Sequence, residues 1–169
     1  LSAEKIVISG YCHPAEDVGG DYYDYLPLAG NQLSLILADV MGHGFYAGLL
    51  VAMVKSCLHT QTRTDSSPAA VMEAMNRTVF SSVKSGLLMT CCYLVFDFQE
   101  QTLNYTNAGH PFPYHYCRAT DRLERLDSTD LLLGIPGFQD VQFTTLERSM
   151  EPGDLLVLYS DGIPEAANA

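Results

Sequence analysis

Three acidic clusters punctuate the sequence: Gly19-Gly20-Asp21-Tyr22-Tyr23-Asp24, Asp39-Val40-Met41-Gly42-His43-Gly44 and Ser160-Asp161-Gly162-Ile163-Pro164-Glu165. Each reads as a place where the chain changes direction. In the second and third, an apolar run leads into an aspartate followed closely by glycine. That arrangement sets a carboxylate at a sheet edge on a rigid support, while glycine lets backbone approach a ligand closely. Carboxylates that meet at one point repel one another unless a divalent cation neutralises them. Oxygen-only donors with retained waters suit Mg²⁺ or Mn²⁺. A strand followed by Asp-Gly is also an ordinary turn, so the metal reading rests on the clusters together and not on any one of them.

Other reactive residue types are weaker candidates. His43 follows the second cluster and either touches substrate or a bound water, or fixes the turn. His110 reads as a hydrogen-bonded structural histidine, and His13, His59 and His115 show no partner spacing. Cys91-Cys92 is followed by Tyr93-Leu94-Val95, without the glycines and arginine of a phosphate-binding cysteine loop, so strand packing is the reading. Tyrosines gather at positions 22, 23 and 25 and again at 105–116, where core and rim packing explains them.

The elements that must position these residues show in the hydrophobic period. Residues 33–38 form a short apolar run suited to a buried strand, broken by Gly42 and Gly44. From 45 to about 63 the pattern is helical, with Leu49, Leu50, Met53, Val54, Cys57 and Leu58 on one face. A second helix opens with Ser67 as N-cap and Pro68 in the first turn, and continues through Val71, Met75, Val79 and Val83 until Gly86 stops it after Lys84. The span 89–98 is apolar with β-branched and aromatic residues, as in a central strand. A hairpin turn at 99–102 leads to a strand at 103–107. Further short strands are predicted at 112–117, 123–126, 141–146 and 155–159. Helices in one block and strands mostly in another indicate an α+β fold with antiparallel sheets.

Composition narrows the partners. Nine Lys and Arg against twenty Asp and Glu leave a net charge of −11, which argues against nucleic acid and anionic membranes. No apolar run approaches the roughly 18 residues of a membrane-spanning helix. Hydrophobic residues at 47% and charged residues at 17% mark a globular chain, read here as a single domain over 1–169. Five cysteines without a Cys-x-x-Cys pair indicate neither a zinc cage nor a disulfide framework, and a reducing cytoplasm fits them. The sequence opens on Leu1, which suggests a piece of a longer protein.

Four segments carry a family resemblance when taken in order: Gly19 to Asp24, Ala38 to Gly44, Asn107-Ala108-Gly109-His110-Pro111, and Tyr159 to Ala166. They resemble the signature of bacterial SpoIIE/RsbU-like serine/threonine phosphatases, within the type 2C (PPM-type) class, from about residue 10 onward. The resemblance implies a four-layer αββα sandwich: two antiparallel sheets with a helix layer outside each. It also implies a centre of two Mn²⁺ or Mg²⁺ ions and phosphoserine or phosphothreonine substrates. The setting it implies is partner-switching signalling that regulates a sigma factor. The partner would be a phosphorylated anti-sigma-factor antagonist, with an upstream sensor domain in the same chain.

By position, Asp39 resembles the carboxylate bridging both metals, with the Val40 carbonyl as a further ligand. Asp161 resembles the ligand on the last visible strand. Asp21 either coordinates directly or holds a metal-bound water, and all three aspartates are candidate catalytic residues. Asp24 is either a lesser ligand or a turn cap, and Gly42, His43 and Gly162 have minor roles in shaping the turns.

One departure stands out. Relatives carry paired aspartates further on, before a closing strand, whereas only Glu165 follows Asp161 before the sequence stops at Ala169. Either the domain is truncated here or it is a degenerate member, and a lost last strand would leave a sheet edge open to pairing in a homodimer. The rival to an active phosphatase is a catalytically idle module that keeps the fold to dock a regulator.

Overall fold

The apolar run near residue 90 becomes the central strand because it is covered on both faces. In the computed structural model, which describes residues 6–13, 18–82, 86–128 and 130–166, the elements run β1 (Asp21–Leu28), β2 (Gln32–Val40), α1 (Phe45–Gln61), α2 (Pro68–Phe80), β3 (Met89–Asp97), β4 (Thr102–Ala108), β5 (Tyr114–Cys117), β6 (Arg122–Arg125), β7 (Leu146–Ser149) and β8 (Leu155–Val157). One antiparallel sheet has the order β1-β2-β3-β4-β7, and a second has the order β6-β5-β8.

Strand periodicity sorts β3 between two cores. Met89, Cys91, Tyr93 and Val95 face the helices, packing with Leu50, Val54 and Leu58 of α1 and Val71, Met72, Met75 and Val79 of α2. Cys92, Leu94 and Phe96 face the other way, toward Leu103, Tyr105 and Leu126, with Leu156 and Leu158 closing from the second sheet. A strand buried on both faces loses the apolar–polar alternation of a half-solvated one. Burial of the Cys91 and Cys92 thiols raises both pKa values, so neither is a thiolate nucleophile.

The layers are thus helices, five-stranded sheet and three-stranded sheet. The α+β architecture of two antiparallel sheets matches the sequence reading. Both described helices, however, lie on the five-stranded sheet, and among the described residues none covers the outer face of the other. That face exposes Leu123, Leu155 and Val157.

Several elements differ from expectation. The first acidic cluster is no turn: Asp21 opens β1, an edge strand whose Tyr22, Asp24, Leu26 and Leu28 alternate toward the helix layer. The strand predicted at 141–146 lies instead at Leu146–Ser149. Upstream of it, backbone groups are satisfied from elsewhere: Thr144 N–H donates to Asp130 at 2.9 Å and the Thr144 carbonyl accepts from Thr106 at 2.9 Å, while Phe143 is buried among the helix-side core. The strand predicted at 155–159 ends at Val157. The second helix ends at Phe80, with Ser81 as its C-cap, well before Gly86. Val83 and Lys84 lie outside the described residues.

A buried amide ties the long connection after β6 to α2. Asn76, 1% exposed, accepts from Gly134 N–H at 2.8 Å and donates to the Phe138 and Gln139 carbonyls at 2.8 and 3.2 Å. Gly134 has φ 87° and packs so tightly that a Cβ would meet Val79 at 2.5 Å. Asn76→Ala therefore strands three backbone groups, at a cost of about 2–4 kcal/mol. In a domain of this size that lowers the thermal midpoint by roughly 5–12 °C, which differential scanning calorimetry of the metal-free chain measures directly.

Candidate metal centre

Antiparallel pairing of β1 with β2 sets Asp21 directly opposite Asp39, at the end of the sheet where β2 runs into the Met41–Gly44 turn. Asp161 arrives from the other sheet, on the turn that follows β8. There Ile163 N–H bonds the Ser160 carbonyl at 3.2 Å and Glu165 N–H bonds the Asp161 carbonyl at 2.9 Å. The Ser160 hydroxyl reaches Asp21 Oδ2 at 3.3 Å, linking the two sheets at the site.

The carboxylates feel one another. Partial burial, then the charges of Asp21 and Asp161, push the Asp39 pKa up to about 6. Asp21 is raised as well, by desolvation and by Asp161, with the Ser160 hydroxyl acting against the rise. The three aspartates singled out in the sequence are thus within electrostatic reach of one another. Among the described residues, no three His, Cys, Asp or Glu side chains are close enough to enclose an ion by themselves.

Backbone oxygens enlarge the donor set. The position that a Cβ on Gly20 would occupy lies 2.6 Å from the Val40 carbonyl, 3.0 Å from Asp39 Oδ1 and 3.0 Å from the Gly42 carbonyl. Three oxygens therefore surround one point beside the start of β1, and only glycine leaves that space open. The turn itself needs glycine: Gly42 has φ 125° and Gly44 φ 82°. Gly44 N–H bonds the Val18 carbonyl at 3.0 Å, and Val40 N–H bonds the Gly20 carbonyl at 3.2 Å, so residues 18–20 clasp the turn from both sides. An all-oxygen set of this kind fits a hard divalent cation. Asp39, the Val40 carbonyl, Asp21 and Asp161 are the residues that would hold it.

Asp24 is not part of this group. It lies within β1 on the opposite face from Asp21, where it accepts from Tyr22 Oη at 3.0 Å and Tyr25 N–H at 2.9 Å. Lys55 Nζ stands 3.1 Å away and His59 Nε2 3.5 Å away, one turn apart on α1. Partial burial opposes its charge, but these hydrogen bonds and Lys55 prevail and hold its pKa below the ordinary value. Asp24 is a strand-to-helix clamp and not a turn cap. His43 and Gly162 are exposed on their turns.

His110 is structural in its backbone, as the sequence indicated. Asn107 brackets it, accepting from His110 N–H at 2.8 Å and donating to its carbonyl at 3.0 Å. Its ring is 3% exposed and lines a cleft of about 470 Å³ together with Asp39, Thr90, Asp130 and Asp161. Nδ1 meets the Thr90 hydroxyl at 2.8 Å, and Thr90 is the β3 residue opposite Asp39. Burial lowers the His110 pKa to about 4, against the opposing influence of the Tyr159 carbonyl and Asp161, so the ring is neutral near pH 7.

Sequence reasoning passed over Gly20, Thr90, Ser160 and Asp130. Gly20 stood inside a quoted motif without a role. Thr90 is identified only by the β2–β3 register, and Asp130 only by the tertiary course of the chain.

Known proteins fit this geometry. The chain is 29% identical over 162 residues to phosphoserine phosphatase RsbU of Bacillus subtilis, a match that covers 96% of this chain and 48% of that protein. It superposes on the RsbU and RsbW domains of Rv1364c from Mycobacterium tuberculosis with a TM-score of 0.74, at 27% identity and over 89% of this chain and 41% of that one. The PP2C phosphatase domain of SpoIIE from Bacillus subtilis gives 0.73 at 19% identity, over 89% of this chain and 45% of that one, which speaks for a shared fold. The chain thus spans about half the length of these relatives, or less. The family model for stage II sporulation protein E (SpoIIE) matches residues 29–169, and the chain belongs to that family.

Proposed function

We propose that this chain is the catalytic core of a metal-dependent protein serine/threonine phosphatase. The observation that carries the proposal is that Asp21, Asp39 and Asp161, drawn from two sheets, lie within electrostatic reach of one another beside carbonyl oxygens gathered around Gly20. Mutually repelling carboxylates set at strand ends are poorly suited to stability and well suited to binding a divalent pair. Two more distant neighbours of the same fold, RsbX and the PstP catalytic domain, were solved with magnesium and with two manganese ions, which supports Mn²⁺ or Mg²⁺ here.

Bound there, the ions would supply Lewis-acid activation of water and charge compensation for the phosphoryl group. Asp39 would hold both, with the Val40 carbonyl beside it in the same rigid turn. Asp161 would hold one of them, and Asp21 would ligate or orient a water, with Ser160 fixing its carboxylate. His110, neutral and fixed by Thr90, would keep a protonated imidazole out of a cationic centre. No side chain needs to be phosphorylated.

The substrate we propose is phosphoserine or phosphothreonine on a regulatory protein of the anti-sigma-factor-antagonist type. The naming of RsbU as a phosphoserine phosphatase supports this, as does the pairing of RsbU and RsbW domains in one relative. The proposed setting is a cytoplasmic partner-switching pathway driven by a sensor domain in the same protein. No described helix is long and apolar enough to cross a membrane. An idle docking module is the second reading, and the open spacing of the acidic side chains favours it.

Mn²⁺-dependent release of an aryl leaving group from an aryl phosphate separates the two readings. Turnover supports the enzyme, and its absence at saturating Mn²⁺ supports the module. Asp39→Asn is expected to lower that turnover by about a hundredfold or more while the chain stays folded, since it removes charge where the attacking water forms. Near-normal turnover would contradict the assignment.

Gly20→Ala tests the oxygen cradle. Its methyl group cannot sit 2.6 Å from the Val40 carbonyl, so the turn must shift. Calorimetric titration should show Mn²⁺ affinity falling by about tenfold or more, a loss of roughly 1.4 kcal/mol. Unchanged affinity would remove the cradle from the site.

The raised Asp39 pKa has a pH signature in the metal-free chain. A carboxyl whose folded pKa exceeds its unfolded value contributes stability that is full below the unfolded pKa and is lost as pH rises through the folded one. For Asp39 that window runs from about 4 to about 6. Thermal melts of Asp39→Asn should therefore lose this part of the pH slope, and above about pH 6 the metal-free variant should melt higher than the parent. Identical pH profiles would show that Asp39 feels no such repulsion.

A further inference from the structure

The cleft that holds Asp39 and Asp161 continues past Pro111 and Phe112 to Ser128 and Asp130. No lysine or arginine lines it. The charges of Asp39 and Asp161 are those a bound divalent pair would neutralise, whereas Asp130 has no such role. Its segment is fixed by a parallel bridge to Ala108 at the end of β4, and its Oδ2 accepts Thr144 N–H at 2.9 Å. None of the ion pairs among the described residues involves it. Arg125 stacks on the Phe112 ring, 4.9 Å from its centroid, but its guanidinium already pairs with Asp127. A second observation points to a polar occupant of the cleft: His110 is 3% exposed in the same wall, and its Nε2, on the side of the Tyr159 carbonyl and Asp161, completes no hydrogen bond of ordinary geometry among the described residues.

A half-buried carboxylate on a rigid support, in a cleft lined by no lysine or arginine, favours an incoming guanidinium or ammonium. We propose that Asp130 makes this end of the cleft a specificity subsite, selecting phosphorylated segments that carry an arginine or lysine beside the phosphorylated residue. The proposal rests on the phosphatase reading for the identity of its substrate. The phosphoryl group goes to the aspartate cluster, and the basic side chain extends through the cleft to Asp130. The two ends of the cleft thereby read opposite charges on neighbouring residues, which a domain of net charge −11 achieves without a basic groove.

The test uses the whole chain with Mn²⁺ and a series of phosphoserine peptides in which one arginine moves through the positions flanking the phosphoserine in an otherwise alanine-rich sequence. Fluorescence anisotropy with non-hydrolysable phosphonate versions reads binding, and phosphate release from the phosphoserine versions reads kcat/KM. At one flanking position, arginine is expected to tighten binding by about tenfold over alanine. Asp130→Asn, whose amide oxygen still accepts from Thr144, should reduce that preference to about twofold or less, and Asp130→Glu should restore most of it. A flat arginine series, or a preference that survives Asp130→Asn, overturns the proposal. So does a change in Mn²⁺ stoichiometry in Asp130→Asn with peptide ranking intact, which would make Asp130 a metal ligand. Failure of the phosphatase reading shows separately, as absent turnover of both aryl phosphate and peptides, while the anisotropy series still decides whether the subsite exists.

Discussion

Electrostatic repulsion between aspartates that strand pairing forces together is the constraint around which this chain is arranged. Asp21 and Asp39 are partners in one antiparallel ladder, so neither moves away without breaking the β1–β2 register. That register is itself fixed, because a one-residue slip would turn Tyr22, Ile36, Ala38 and Val40 out of the helix-side core. Hydrophobic burial therefore holds charges in place that would otherwise separate. Burial first, and then the charges of Asp21 and Asp161, raise the pKa of Asp39 to about 6.

The surrounding devices maintain this geometry from outside it. Tyr22 and Asp24 present the other face of β1 to α1, where Lys55 and His59 clamp Asp24. The same strand thus carries a compensated carboxylate on one face and an uncompensated one on the other. Ahead of β1, Val18 and Gly20 bond the backbone of the turn that leads into α1, and Gly48 in the first turns of α1 packs so near Val18 that a Cβ would lie 2.6 Å from it. Helix, clasp and acidic turn form one continuous contact path. A displacement of α1 would be felt at Val40 and Asp39.

Much of this was legible in the sequence where local chemistry and periodicity agree. The α1 face is carried by four-residue spacing, α2 opens on Ser67-Pro68, and the span near 90 is too uniformly apolar to be anything but an interior strand. The strand β1 was missed because its first half, Asp21-Tyr22-Tyr23-Asp24-Tyr25, carries no aliphatic residue, so its acidic start looked like a turn. The strand at 141–146 was misplaced because Val141 and Phe143 alternate with polar residues as in a strand, with Leu146 following. There the alternation reflects Val141 and Phe143 packing into the helix-side core, while Leu146 turns to the other core and starts β7. At the site, Asp21, Asp39 and Asp161 were recognisable from motif order, whereas Thr90 and Asp130 depend on register and chain course that no local pattern encodes. Nor was the His115–Asp154 pair, which joins β5 to the turn before β8 at 2.9 Å, visible from spacing.

The candidate site draws its aspartates from both sheets, so an ion held there would link occupancy to packing. Asp21 and Asp39 belong to the five-stranded sheet, while Asp161 follows the short edge strand β8. The two sheets are held together by the core of Cys92, Leu94, Phe96, Leu103, Tyr105 and Leu126, with Leu156 and Leu158 at its margin. Across the site itself the Ser160 hydroxyl reaches Asp21 directly. The charges of Asp21, Asp39 and Asp161 oppose one another there, and a divalent cation between them would reverse the sign of the interaction. Ion binding would then contribute to the closure of the sheets, because a ligand that binds the assembled state stabilises it by mass action. The weak point is the β8 side, where the strand is short and its neighbouring turn exposed. A change that loosens β8 should therefore displace Asp161 before Asp39, whose carboxylate and neighbouring carbonyl come from one glycine-shaped turn.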